Sequence, residues 1–395
     1  MLIRPFAAIR PNVTDAALVA SVPYDVAGVA EVRELAAGNP KSFLHVSRPE
    51  IDLPEGTRAS SDEAYRQSRQ AFDALLSDGT LVRDDEPGIY LYRLSVGGRE
   101  QTGIVATFDT KEYLSGVIRR HETTRRDKED DRTRHIENLG AQTGPAYLTY
   151  RDVPAVDALV ARGKAAAPLY DFVAPDGVAH TVWKLSADET DEVVRLFAAV
   201  PTAYIADGHH RSAAAARVAA ARAFAGEARF FMAVIFPASQ LRILPYNRVV
   251  ADLNGLSTYE FLSAVSENFT IGAKGERNCR MYVDGVWHDL SWTPDDGAVE
   301  SLDVSYLQTN LLAPVLGIAD PRTSRRIAFV GGIRGDGALA ACVDAGSAAV
   351  AFAMEPVTVG EMMAIADSGA IMPPKSTWFE PKLRSGLFIH AVGAQ

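Results

Sequence analysis

The sequence predicts a mixed α/β fold in two parts, and three observations lead to this prediction. Short apolar runs with strand composition alternate along the chain with longer segments of helical periodicity. Capping-box patterns, in which Glu follows Ser or Thr by three residues, mark helix starts at Ser60, Ser186 and Thr358. The length of 395 residues is enough for two domains, or for one domain with a large insertion.

Composition narrows the class of protein. Hydrophobic residues make up 47% and charged residues 23%, a balance typical of a packed globular protein. The net charge of −10 opposes general affinity for nucleic acid. Cys279 and Cys342 lack metal or redox spacing, which indicates a reducing compartment. Neither an apolar leader nor a long apolar window occurs, so we expect a cytoplasmic protein without membrane insertion.

The segment 202–216 has the strongest functional signal. A strand-like run reaches Ala206, a turn follows, and an Ala-rich segment without Gly or Pro continues as a helix. Backbone N–H groups and the helix dipole at such a junction favour a bound phosphate. The residues at the junction are Asp207, Gly208, His209, His210 and Arg211. In the alternative interpretation, Asp207 only caps the helix and the histidines lie in water.

A second polar loop follows an early strand. Pro23-Tyr24-Asp25 ends an apolar run, and a helix is predicted from Val29 to Ala37. Asp25 is a candidate general base because its loop lies between a proline and a helix. Glu31 is the competing candidate, although an acidic residue in a first helical turn is also favoured by the helix dipole.

Two further polar segments contain residues that are candidates for binding phosphate or a metal ion. The segment 117–134 is highly charged, and its default interpretation is a solvated helix with i,i+4 pairs. Its first polar residues, Arg119 and His121, are candidate phosphate contacts, and Glu122 is a candidate metal ligand. Near the C-terminus, Lys375 follows two prolines in a rigid polar loop and is a further candidate phosphate contact.

Several motifs resemble one family along nearly the whole chain. They are IRPFAAIRP, VPYDV, NPKSFLHVSRPE, RRHETT, ADGHHR, LLAPVLGI and MPPKSTWF. Together they resemble the bacterial family known as domain of unknown function 1015. The segments 23–25 and 207–214 are also similar to ParB/sulfiredoxin-like domains. This resemblance implies a ParB/sulfiredoxin-like nucleotide-binding domain over 1–227, with an insertion at roughly 88–199, and a second α/β lobe over 228–395.

Residue types separate the activities of that superfamily. Sulfiredoxin-like reductases need a cysteine after the box glycine, where this chain has His209. ParB-like proteins need a helix-turn-helix and a basic surface, whereas this chain is acidic and paired strands follow the box. Free amino-acid kinases need phosphate capture, a carboxylate and a metal ion. The resemblance therefore implies a small-molecule kinase that phosphorylates a hydroxyl-bearing metabolite such as free L-serine.

The implied site has a role for each candidate. Residues 208–211 hold the phosphates of ATP or ADP and offset charge during transfer, which gives His209 and His210 a catalytic part. Asp25 accepts the hydroxyl proton, and Mg²⁺ is held by Glu122 or Asp207. A non-catalytic nucleotide-binding regulator and a ParB-like nucleotide-dependent protein remain as alternatives, and homo-oligomerisation is left open.

Overall fold

The computed structural model describes residues 1–393, and the chain forms two compact units. The first unit contains residues 1–120, residues 124–241 and the segment from Pro381 onward. The second unit contains residues 121–123 and 242–380. Helices and strands alternate in both, so the predicted mixed α/β class is confirmed.

The strands are β1 (Ile3–Arg4), β2 (Ile9–Pro11), β3 (Leu81–Arg83), β4 (Tyr90–Val96), β5 (Arg99–Asp109), β6 (Ile118–Arg119), β7 (Ala141–Gln142), β8 (Ala146–Tyr150), β9 (Tyr170–Val173), β10 (Ala179–Lys184), β11 (Ala203–Asp207), β12 (Phe230–Pro237), β13 (Ile243–Leu244), β14 (Tyr246–Val250), β15 (Thr270–Ile271), β16 (Arg277–Val283), β17 (Val286–Trp292), β18 (Ile327–Gly331), β19 (Val350–Met354), β20 (Trp378–Phe379) and β21 (His390–Ala391).

The α-helices are α1 (Ala16–Val19), α2 (Val29–Ala36), α3 (Leu44–Ser47), α4 (Asp62–Ser77), α5 (Thr110–Leu114), α6 (Arg126–Leu139), α7 (Pro154–Gly163), α8 (Ala187–Ala198), α9 (His209–Ala221), α10 (Thr258–Val265), α11 (Asp303–Leu307), α12 (Gly335–Asp344) and α13 (Val359–Ser368). Among the described residues, no helix is both long enough and apolar enough to span a bilayer.

A nine-stranded mixed sheet forms the centre of the first unit. Its strand order is β6-β11-β8-β12-β5-β4-β10-β9, and β1 pairs with β5. Strands β8 and β12 are buried along their whole length, as expected for strands covered on both faces. Strand β11 lies between β6, which is parallel to it, and β8, which is antiparallel.

The extent of this sheet differs from the predicted domain layout. Six of its strands, β4–β6 and β8–β10, come from the segment 88–199, which the sequence interpretation treated as an insertion. Strand β12 follows the predicted boundary at 227, yet it pairs between β8 and β5 near the middle of the sheet. The first unit continues to Leu241 because β12 completes its core. Such pairing joins segments far apart in sequence, and local periodicity does not encode it.

Helix boundaries follow local sequence signals with a few differences. The capping boxes at Ser186 and Thr358 are confirmed, with both reciprocal hydrogen bonds present. The box predicted at Ser60 is wrong by one residue, since α4 is capped by Ser61 through the Ala64 N–H group. In the charged segment 117–134, Ile118 and Arg119 form β6 and the helix begins only at Arg126.

The second unit has its own sheet of six strands, in the order β15-β17-β16-β19-β14-β18. Strands β16 and β17 form a hairpin with Asp284-Gly285 at its turn. Leu339 of α12 packs with Ala351 of β19 in a small apolar core. The second unit is therefore an α/β arrangement with a core of its own.

Candidate functional site

The junction between β11 and α9 has the geometry of an anion-binding turn. Pairing between β11 and β8 shifts by one residue between Ile205 and Asp207, and such bulges often lie beside functional sites. Gly208 has a left-handed backbone, with φ +91°, and α9 begins at the next residue. A Cβ atom on Gly208 would lie 2.9 Å from the Nε atom of Arg211. Glycine is therefore needed both for the turn and for the close approach of the guanidinium group.

Asp207 anchors two cations at this turn. Its Oδ2 atom accepts a hydrogen bond from Lys382 Nζ at 3.0 Å, and its Oδ1 atom accepts from the Gly208 N–H group at 2.6 Å. Arg211 Nη2 lies 3.6 Å from Oδ1. Burial alone would raise the pKa of Asp207, but Lys382, Arg211 and the Gly208 N–H group outweigh it and hold the pKa well below its usual range. Asp207 is thus an ionised carboxylate with both oxygens engaged.

The guanidinium group of Arg211 is fixed from two sides. Arg211 Nη1 donates to the backbone carbonyl of Pro145 at the start of β8. The side chain is 13% exposed, and its Nε atom has no hydrogen-bond partner among residues 1–393. A buried guanidinium N–H group without a partner is costly. A ligand oxygen at this position would satisfy it.

Neither His209 nor His210 is fully exposed to water, in contrast to the alternative interpretation of the sequence. His209 is the first residue of α9 and is 6% exposed. His210 is half-buried, and its Nε2 atom accepts a hydrogen bond from the Arg125 N–H group at 3.1 Å. The helix is not capped by Asp207, since its N-cap is Gly208 and no side-chain cap bond is present.

A pocket opens beside Arg211 and has a volume of about 560 Å³, counting the space open to solvent. Its wall combines arginine, hydroxyl and imidazole groups with apolar side chains. The lining residues used below are Pro23, Tyr24, Ser47, Arg132, His135, Ile136, Thr143, Arg211, Phe231, Met232 and Ser385. The loop that carries Asp25 and the first turn of α9 therefore both contribute to this pocket, through Pro23, Tyr24 and Arg211.

The loop that carries Asp25 is held by Arg48, whose side chain is 11% exposed. Arg48 Nη1 donates to the carbonyl groups of Tyr24 and Ala27, each at 2.8 Å, and Arg48 Nε donates to Glu50 at 2.6 Å. The Asp25 side chain is exposed. Because Arg48 binds the carbonyl groups of Tyr24 and Ala27, the backbone is held on both sides of Asp25.

Tyr24 connects this loop to α6. Arg132 lies with its Cζ atom 3.9 Å from the centroid of the Tyr24 ring, a favourable cation–π contact. Burial raises the pKa of Tyr24, and the nearby Asp25 charge raises it further, against the opposing charges of Arg132 and Arg211. The Tyr24 hydroxyl group therefore stays protonated and can donate a hydrogen bond.

The remaining polar wall is buried and uncharged. Burial lowers the pKa of His135 to about 3, so the ring is neutral at physiological pH, and its Nε2 atom lies 3.3 Å from Thr143 Oγ1. Ser47 is 5% exposed, and its Oγ atom has no hydrogen-bond partner within the described part of the chain. These groups are suited to a polar ligand.

Arg119, His121, Glu122 and Lys375 are the remaining predicted site residues. Arg119 is on β6, paired beside Tyr204 of β11, and is half-buried. His121, Glu122 and Lys375 belong to the second unit. There His121 Nε2 lies 3.3 Å from Thr377 Oγ1, and Lys375 Nζ lies 3.3 Å from the Tyr246 hydroxyl oxygen. The roles assigned to these residues from the sequence stay predictions.

Sequence reasoning missed several members of the site. Ser47 lies in the motif NPKSFLHVSRPE and Arg132 in the charged segment 117–134, but neither was selected as a candidate. His135 and Lys382 lie outside the quoted motifs, although Lys382 follows the polar loop near the C-terminus.

The family comparison was made against the whole sequence. The family model described as "Protein of unknown function (DUF1015)" matches residues 3–305. The chain belongs to this family. Among proteins with curated descriptions, none matches this DUF1015 member by sequence.

Solved structures with partial similarity were also found. A free serine kinase variant in complex with ADP is 12% identical, with a TM-score of 0.37, and the match covers 72% of this chain and 92% of the kinase. SbnI with a C-terminal truncation, from Staphylococcus aureus, is 11% identical, with a TM-score of 0.40 and coverage of 71% and 85%. A conserved hypothetical protein from Pyrococcus furiosus is 13% identical, with a TM-score of 0.37 and coverage of 72% and 94%. Similarity at this level does not assign a function.

Replacing Gly208 tests the geometry of the turn. We expect Gly208→Ala to lower the free energy of unfolding by about 1–2 kcal/mol for the left-handed backbone, plus about 1–3 kcal/mol for crowding against Arg211. Gly116→Ala is the matched control, because Gly116 has a similar φ of +80° and open space around its Cβ position. Urea denaturation measures both variants. Equal losses in the two would show that the contact with Arg211 contributes nothing.

Proposed function

We propose that this protein is a nucleotide-dependent phosphotransferase that acts on a small hydroxyl-bearing metabolite. The observation that supports it best is that the Tyr24 loop and Arg211 line one pocket, although they are far apart in sequence. Phosphoryl transfer requires a phosphate-binding group and a proton acceptor near the same reacting atoms. The first unit would then be the nucleotide-binding domain.

In this proposal the turn before α9 binds the donor phosphates. The backbone N–H groups at the start of α9 and the guanidinium group of Arg211 would contact phosphate oxygens and offset their charge. Asp207 would act as a positioning residue, since it binds Arg211 and Lys382 and leaves neither oxygen for a ligand. His209 and His210 flank the turn and would contribute polar contacts to the donor.

Asp25 is proposed as the general base. Its carboxylate would accept the proton of the acceptor hydroxyl group as the hydroxyl oxygen bonds to the terminal phosphorus of the donor. The bond from that phosphorus to its bridging oxygen breaks, and the shortened nucleotide leaves with the electron pair. Arg48 would position Asp25 through its bonds to the neighbouring carbonyl groups.

Magnesium was predicted at Asp207 or Glu122, and the environment of Asp207 does not fit a divalent cation. Both of its oxygens accept hydrogen bonds, and two cationic side chains lie within 3.6 Å. A metal ion would have to displace Lys382 or Arg211. Mg²⁺ bound to the donor itself would still neutralise phosphate oxygens, as in other phosphotransferases.

The proposal is tested by binding and turnover measured on the same protein. We expect ATP or ADP to raise the melting temperature, and phosphate to be transferred to a hydroxyl compound when both substrates are present. The first acceptors to screen are free L-serine and related hydroxy compounds. Nucleotide binding without transfer to any acceptor would favour the regulatory alternative. Absence of nucleotide binding would contradict both.

A further inference from the structure

We propose that the acceptor is a small hydroxy acid, with a carboxylate group and no ammonium group, and that it binds in the pocket beside Arg211. This inference rests on the proposed phosphotransfer and specifies its substrate class. It differs from the free amino acid that the sequence resemblance implies. The evidence is the balance of charges around the pocket.

The pocket wall is cationic. Arg132 and Arg211 both line it, and none of its lining residues in the described chain is acidic. Their side chains are only 11% and 13% exposed, so their charges act in a poorly solvated place. In the proposed function Arg211 contacts the donor phosphates, so Arg132 is the lining cation that is left for the acceptor. An anionic group on the acceptor would stabilise its guanidinium group.

The carboxylates around the pocket are engaged by other groups. Asp131 accepts from the Tyr65 hydroxyl group at 2.6 Å through Oδ1, and from Arg132 at 2.7 Å through Oδ2. Both oxygens of Asp207 are occupied, as described above. Asp25 does not line the pocket, and in the proposed function it accepts the proton of the acceptor hydroxyl group. An amino acid would therefore leave its ammonium group facing the guanidinium group of Arg132, which is unfavourable.

Hydroxyl recognition is available from other residues of the wall. Ser47 Oγ is buried without a partner in the described chain, and Thr143 and Ser385 add further hydroxyl groups. His135 is neutral, so it adds no charge that would repel or attract the ligand. The apolar side chains, Ile136, Phe231 and Met232, restrict the pocket to a small compound.

The preference for a carboxylate without an ammonium group can be tested with three related three-carbon compounds. Their affinities are measured by calorimetric titration of the full-length protein. D-Glycerate and L-serine share a carboxylate and a primary hydroxyl group, and serine has an ammonium group where glycerate has a second hydroxyl group. Glycerol lacks the carboxylate. We expect glycerate to bind at least about tenfold more tightly than L-serine, and glycerol to bind more weakly than glycerate by a similar factor. Tighter binding of L-serine than of glycerate would overturn the inference.

Variants locate the binding site. Arg132→Met should weaken glycerate binding by about tenfold or more, whereas Arg134→Met, an exposed arginine on the same helix paired with Asp62, should leave it unchanged. Since Arg132 also packs on Tyr24, Ser47→Ala provides a second test with little effect on the fold. It should weaken binding by about threefold to tenfold. Unchanged binding in both Arg132→Met and Ser47→Ala would contradict the site.

Transfer assays separate this inference from the proposed function. If glycerate binds but no compound is phosphorylated, the proposed phosphotransferase is wrong and the ligand class of the pocket stands. If L-serine is phosphorylated and glycerate is not, the phosphotransferase stands and the hydroxy-acid inference is wrong.

Discussion

Asp25→Asn is expected to lower turnover by about 10²–10⁴-fold and to leave nucleotide affinity nearly unchanged. The substitution keeps the size and hydrogen-bonding shape of the side chain but removes its basicity. Arg48 bonds the carbonyl groups of Tyr24 and Ala27, not the Asp25 side chain, so the loop should keep its conformation. Steady-state kinetics and nucleotide titration on the same preparation measure the two effects.

The competing carboxylate provides the control for that experiment. Glu31 lies in the first turn of α2, where the helix dipole by itself favours an acidic residue. Glu31→Gln should therefore change turnover by less than about tenfold. If Asp25→Asn retains wild-type turnover and Glu31→Gln loses it, the base is Glu31 and the role of Asp25 is to shape its turn.

Arg211→Lys is expected to weaken nucleotide binding by about 1.5–3 kcal/mol, or roughly 10–150-fold. Lysine keeps the positive charge but loses the planar fork that can contact two phosphate oxygens at once. It also loses the geometry that joins Asp207 to the carbonyl group of Pro145. The measurement is calorimetric titration with ATP and ADP.

A matched variant on the same helix controls for lost packing. Arg222, at the C-terminal end of α9, also donates from its guanidinium group to a backbone carbonyl, that of Val392. Arg222→Lys should reduce stability to a similar extent while leaving nucleotide affinity unchanged. Equal affinity losses in Arg211→Lys and Arg222→Lys would indicate a general loosening of α9 and would remove Arg211 from the proposed phosphate site.

Local chemistry made part of the site predictable. The Asp207-Gly208 turn and the helix after it were visible because a glycine between an apolar run and an Ala-rich segment has few alternatives. The helix α2 after the Tyr24–Asp25 loop was predicted within one residue for the same reason, since its apolar residues repeat with helical spacing. Two of the three predicted capping boxes were confirmed, because both of their hydrogen bonds join residues three apart.

Tertiary structure decided what those local elements do. By sequence, Asp207 can be a helix cap or a metal ligand, whereas in the structure Lys382 and Arg211 approach its two carboxylate oxygens. By sequence, Arg132 is one of many charged residues in a predicted solvated helix, whereas in the structure it packs on Tyr24 and lines the pocket. By itself, then, the sequence determined the turns and helices on which the site is built. The charges that line the pocket depended on residues from distant segments, because their contacts are set by sheet pairing and core packing, which no local pattern records.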